Sequence, residues 1–189
     1  MATIKRAPEA FRSANLFRLG VGHVAVSRFR TDGSVEVGCF LLDVFCLGAK
    51  DAFFARLNSI PEYEKSLLAR MFSANASIPL TASAGRKLVE GAVAYASRLG
   101  FSPCADYNRA CRVFGGISAL DCEEEFAFGR NGKPCFFQGP SDSPARCQHI
   151  LRVLDSRCGS GNYHFVVAAE SFDGFAGAEK FGGRVIPVP

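Results

Sequence analysis

GHVAVSRFRTDGSVEVGCFLLDVFCLGAKDAFF, residues 22–54, decides how this chain folds. From His23 to Arg30, Val24, Val26 and Phe29 alternate with smaller or polar neighbours. From Val35 to Cys46 the chain is dense in Val, Phe, Leu and Cys, residue types that suit a pleated, half-buried surface. Thr31, Asp32, Gly33 and Ser34 separate the two runs. Asp and Gly tolerate the positive φ angles of a tight turn, so the pattern predicts a β-hairpin. Phe40 to Leu47 is apolar at every position except Asp43. Such a strand is expected to be covered on both faces, which requires helices packed on the sheet.

Working outward, Tyr63, Leu67, Leu68, Met71 and Phe72 follow Pro61 at helical spacing and predict a helix from Pro61 to Phe72. A longer helix is predicted from Ser83 to Leu99, with Leu88, Ala92, Tyr95, Ala96 and Leu99 on its apolar stripe and Gly100 as its stop. Ala105 to Phe114 reads as a short helix ended by Gly115 and Gly116. FAFGRNGKPCFF, residues 126–137, has aromatic runs on both sides of Asn131-Gly132 and predicts a second hairpin with an exposed cationic turn. Ser143 and Pro144 open a helix whose apolar face is Cys147, Ile150, Leu151, Leu154 and Cys158, and Gly159 ends it. Tyr163 to Ala169 reads as a last strand, followed by a Gly-rich extended tail over 171–189.

Strands and helices in this order do not alternate regularly, and hairpins force antiparallel neighbours. The fold class is therefore α+β: a single domain over 1–170, about five mostly antiparallel strands in one sheet with four helices packed on it. At 189 residues and 48% hydrophobic the chain fills one core. Eight cysteines, without an apolar leader before them, point to reduced thiols and a cytoplasmic setting. No stretch approaches the roughly 20 apolar residues that cross a bilayer, so no integral membrane association is expected.

Net charge is +4, and it is unevenly spread. Residues 1–30 hold Lys5, Arg6, Arg12, Arg18, Arg28 and Arg30 against Glu9, an excess of five, so the remainder carries a net −1. The preferred reading of residues 1–20 is a short amphipathic helix capping the sheet. The other is a surface for nucleic acid, an acidic partner or an anionic surface.

Asp43, Lys50 and Asp51 are the weak catalytic candidates, because a carboxylate in an apolar strand is costly unless paired, protonated or bound to a cation. Two such acids, with Glu36 as a third, would hold a magnesium ion for phosphoryl transfer or hydrolysis. The structural alternative is favoured: Asp43 pairs with an arginine or bonds backbone groups, and Asp51 caps the segment that starts at Ala52. His23 or His164 beside Cys39 or Cys46 is the available Cys-His pairing. With no C-x-x-C pair, no metal site is expected, and with no phosphate-binding loop, no cofactor. Arg12, Arg18, Arg130 and Lys133 are the candidate nucleic-acid or partner-binding residues. The leading functional expectation is a non-catalytic binding or accessory module acting on nucleic acid, a ribonucleoprotein or a larger assembly. A metal-dependent enzyme using Asp43 and Asp51 comes second, and a protein-protein subunit docking through its C-terminal tail third.

Overall fold

The Asp32-Gly33 turn forms as the sequence predicts. Gly33 has φ +84°, and Asp32 Oδ1 accepts hydrogen bonds from the Ser34 amide at 2.9 Å and the Ser34 hydroxyl at 2.6 Å. It joins β2 (Val21–Phe29) to β3 (Val35–Asp43) in unbroken antiparallel register from Val21↔Asp43 to Phe29↔Val35. β4 (Gly48–Leu57) continues the meander on the far side of β3, with a register shift at Leu41/Leu42. These strands belong to a computed structural model that describes residues 6–74 and 76–168. The predicted tail over 171–189 lies outside those residues.

Two further strands complete the sheet, and the sequence did not announce either. β1 (Glu9–Ser13) pairs antiparallel with β2, and β5 (Ser77–Thr81) pairs antiparallel with β1. The order is β4-β3-β2-β1-β5, every neighbour antiparallel. Among its described residues, the basic N-terminal segment thus forms a strand followed by one short helix, α1 (Leu16–Leu19), rather than the expected capping helix. The free edge of β2 outweighs the amphipathic pattern, because pairing satisfies the backbone of Glu9–Ser13 while burying Ala10 and Ser13. β5 carries Pro79 opposite Phe11, which a strand bonded on one side only can accommodate.

Both faces of the sheet are covered. On one lies α2, built of three consecutive pieces, Ile60–Glu62, a π-helical Tyr63–Leu68 and Ala69–Met71. Tyr63 buries its ring against Ala25, Val35, Val37 and Cys39. Its hydroxyl accepts from Ser27 Oγ at 2.8 Å and donates to Glu9 Oε1 at 3.0 Å, so the buried phenol is fully used. On the other face lies α3 (Ala82–Arg98), with Leu88, Val89 and Ala92 packed on Val24, Val26, Phe40 and Leu42. α4 (Tyr107–Ala110), running on into a 3-10 turn Cys111–Val113, fills the rest of that face.

A smaller unit packs against one end. β6 (Cys135–Phe137) and β7 (His164–Val166) pair in parallel, connected by α5 (Pro144–Cys158). Phe136, Ile150, Leu151, Leu154 and Phe165 form its core together with Cys46 and Leu47. This corrects the expected second hairpin. The Asn131-Gly132 turn does form, with φ +53° and +76° and paired backbone bonds between Arg130 and Lys133. Its aromatic flanks, however, are drawn to different partners. Phe126 stacks on Phe17 at 6.0 Å between centroids and Phe128 on Tyr95 at 5.8 Å, while Cys135–Phe137 pairs with distant β7. Among the described residues, no helix is long and apolar enough to cross a membrane.

α3 approaches the sheet closely at Gly85, where an added Cβ would lie 2.6 Å from Ala10 Cβ and 3.0 Å from Val26 Cγ2. Gly85→Ala should gain about 1 kcal/mol of helix propensity and lose about 1–3 kcal/mol to overpacking, because Ala10 Cβ is fixed to the backbone and cannot swing aside. The expected result is a lower urea midpoint at unchanged slope. A raised midpoint would show that α3 does not sit this close to β1.

Candidate functional site

Asp43 ends β3 and is 2% exposed. Its Oδ1 accepts from the Phe45 amide at 3.0 Å and the Cys46 amide at 2.8 Å, closing the turn Val44–Leu47 that leads into β4. It bonds backbone groups, one of the two structural roles expected of it. Burial pushes its carboxyl up to about 6, against the lowering effect of the Cys46 and Phe45 amides and of Lys50. Asp51 is exposed on β4 opposite Leu41, and its Oδ1 accepts from the Ala52 amide at 2.9 Å. Glu36 is engaged by Arg28 at 2.7 Å. Among the described residues, no three His, Cys, Asp or Glu side chains gather as a metal-binding set.

All eight cysteines are free thiols, and burial pushes Cys39 up to about 12 and Cys46 well above its ordinary value. His23 sits opposite Leu41 rather than Cys39, and burial lowers its pKa. His164 is exposed opposite Cys135.

All four sequence-derived basic candidates make contacts within the chain. Arg12 donates to the Ser13 and Ala14 carbonyls at 3.2 and 3.3 Å and lies over the Phe17 ring. Arg130 lies over Phe137, its guanidinium carbon 5.6 Å from the ring centroid, and Lys133 Nζ donates to the Gly161 carbonyl at 2.9 Å. Arg18 is exposed and makes one long contact, 3.4 Å to Asn15 Oδ1. The two segments are tied through Val44, whose amide donates to the Gly20 carbonyl and whose carbonyl accepts from the Gly129 amide.

A second run of positive charge lies along α5. The helix is capped by Ser143, whose Oγ accepts from the Arg146 amide at 3.3 Å, and Pro144 occupies its first turn. Because Cys147, Ile150, Leu151 and Leu154 take the buried face, Arg146, His149, Arg152 and Arg157 fall on the others. A loop runs beside them. Gly100, at φ +94°, ends α3, and the Phe101 amide turns back to the Ala96 carbonyl at 3.0 Å. The Cys104 amide then donates to the Ala49 carbonyl at 2.9 Å, pinning the loop to the start of β4.

Between loop and helix lies a groove with two adjoining compartments of about 480 and 280 Å³, which share Gly100 and His149. Lys50, Arg146, Arg152 and Arg157 line it, and no Asp or Glu does. Asp142, 7% exposed, sits beside it and receives Arg146 Nε at 2.8 Å and Lys50 Nζ at 3.7 Å. Arg152 and Arg157 are in no ion pair among the described residues. The sequence singled out Lys50 for its neighbours in β4. The basic face of α5 was visible beside its apolar stripe, but nothing local indicated that a loop from residue 100 would wall it in. Comparison with protein families, with curated proteins and with solved structures found no match to this chain.

The buried Asp43 gives a pH signature. A folded-state pKa raised above the unfolded value contributes stability that is full below about 4 and is lost as pH rises through about 6, up to about 3 kcal/mol. Asp43→Asn keeps the acceptor oxygen and removes the titration. Its melting temperature relative to the parent should therefore climb between pH 4 and pH 7. Asp43→Ala leaves two amides unpaired and should cost about 1–3 kcal/mol for each at pH 4, below the titration. A parallel pH profile for parent and Asn variant would refute the buried ionisation.

Proposed function

We propose that this protein is a non-catalytic module that binds single-stranded nucleic acid by its phosphate backbone, in the groove beside α5. The observation that carries this is the groove lining: four basic side chains, no acidic one, and two arginines outside any ion pair among the described residues. From Arg146 to Arg157 the helix rises roughly 16 Å, a span suited to a polymer with repeating charges rather than to one anionic group. Contacts of this kind position a strand without reading its bases. Phe101, partly buried in the lining, offers a ring against which a base can stack. Arg12, Arg18, Arg130 and Lys133 enter this reading as a secondary surface, weaker because Arg12 and Lys133 already donate to carbonyls of the chain and Arg130 lies over Phe137. The enzymatic alternative has less to support it, since the Asp43 carboxylate is taken up by two backbone amides.

Anisotropy titrations of a labelled single-stranded RNA at several salt concentrations test this. The logarithm of affinity should fall linearly with that of salt, and Arg152→Gln and Arg157→Gln should each reduce the slope by about 0.7 without moving the melting temperature. Arg12→Gln and Arg130→Gln should weaken binding less. No binding at low salt, or binding indifferent to the α5 changes, would overturn the proposal.

A further inference from the structure

A second cleft, of about 530 Å³, lies where the start of β1, the end of β2 and the first turn of α3 meet. Its charged lining residues are Arg6, Arg28 and Arg30, and Pro8, Ala82 and Ile117 make an apolar wall. The arginines are held by carboxylates that do not themselves line the cleft. Arg6 contacts both Glu9 oxygens at 3.0 Å and Glu64 at 2.8 Å, so two carboxylates face its one charge. Arg28 and Arg30 instead share one carboxylate: Glu36 receives Arg28 Nη2 at 2.7 Å, while Arg30 Nε stands 3.9 Å away. One positive charge is left over between them.

Donors are left over as well. A guanidinium carries five N–H groups and no acceptor. Arg30, half exposed, makes its one ion-pair contact beyond hydrogen-bonding distance. Arg28 Nε is buried and has no hydrogen-bond partner among the described residues, a costly condition for a donor. Ser83 adds a hydroxyl to the lining. The cleft thus offers surplus donors, beside an apolar wall and far more volume than a lone oxyanion fills.

We infer that this cleft binds a small phosphate monoester, its phosphoryl oxygens on Arg28, Arg30 and Ser83 and its uncharged organic part against Pro8, Ala82 and Ile117. A phosphoryl group supplies only acceptors, in the geometry that guanidinium forks match. The volume is that of a small-molecule site. The site shares no residue with the α5 groove, so either proposal can fail alone.

The test is a titration of the full chain with phenyl phosphate, followed by NMR at the Arg28 and Arg30 Nε–H signals and the Ser83 amide, with ionic strength held by sodium chloride. Saturable shifts are expected, with inorganic phosphate binding more weakly because it lacks the organic part. Arg30→Gln should weaken phenyl phosphate at least tenfold, the worth of a charge-assisted hydrogen bond, at unchanged melting temperature. Ser83→Ala provides a second comparison should Arg30→Gln unfold the chain, and Arg152→Gln should leave the titration as it was. The inference is overturned if no shift saturates, if chloride alone reproduces the shifts, or if the cleft variants bind as the parent does.

Discussion

The turn Val44–Leu47 is buried at all four positions, and the rest of the molecule is arranged around satisfying it. A turn inside a protein has no water to bond, so each of its amides and carbonyls must find a partner in the chain. Asp43 takes the amides of Phe45 and Cys46. Gly20 takes the amide of Val44, Gly129 donates to the Val44 carbonyl, and Cys135 donates to that of Phe45. Three distant segments are thereby drawn to one point: the end of α1, the loop before the Asn131-Gly132 turn, and the first strand of the small parallel unit. The side chains of Cys46 and Leu47 then serve as part of that unit's core, and the strand leaving the turn carries Lys50 into the groove.

What the sequence showed, and what it concealed, follows from how local each signal is. The β2–β3 hairpin was legible because Asp32-Gly33 dictates its own backbone geometry. α3 and α5 were legible because a 3.6-residue stripe and terminal residues such as Ser143, Pro144 and Gly159 need no knowledge of the fold. β1 and β5 were not. Each is five residues long, one mixes Glu9 and Arg12 with its apolar positions, and the other has Pro79 at its centre. Their existence depends on an edge that β2 offers and that no local pattern reports. The aromatic residues around Asn131-Gly132 misled for the same reason: Phe126 and Phe128 answer to Phe17 and Tyr95, not to each other's strand.

Charge was the least transferable reading. The N-terminal thirty residues hold most of the positive excess, but much of it is consumed in holding the fold. Arg6 bridges β1 to α2 through Glu9 and Glu64, Arg28 joins neighbouring strands through Glu36, and Arg12 serves backbone carbonyls. The α5 arginines look unremarkable in the sequence, spaced among Gln, His and Asp. What sets them apart is the loop at Gly100 to Cys104 that walls them into a groove, and that is a property of packing. Surplus charge, rather than total charge, marks a surface able to attract a polyanion.

The proline in β5 governs how this sheet can meet another chain. A bare strand edge invites a neighbour to add on, amide to carbonyl, and so begins sheet-to-sheet aggregation. β5 is a terminal strand of the five, only five residues long, and Pro79 deprives its middle of an amide. A strand approaching from solvent would find a ladder with a missing rung, too short to continue on either side. Growth of the sheet at this margin is therefore disfavoured from within the sequence, which leaves the ten-residue β4 as the longer of its two edges.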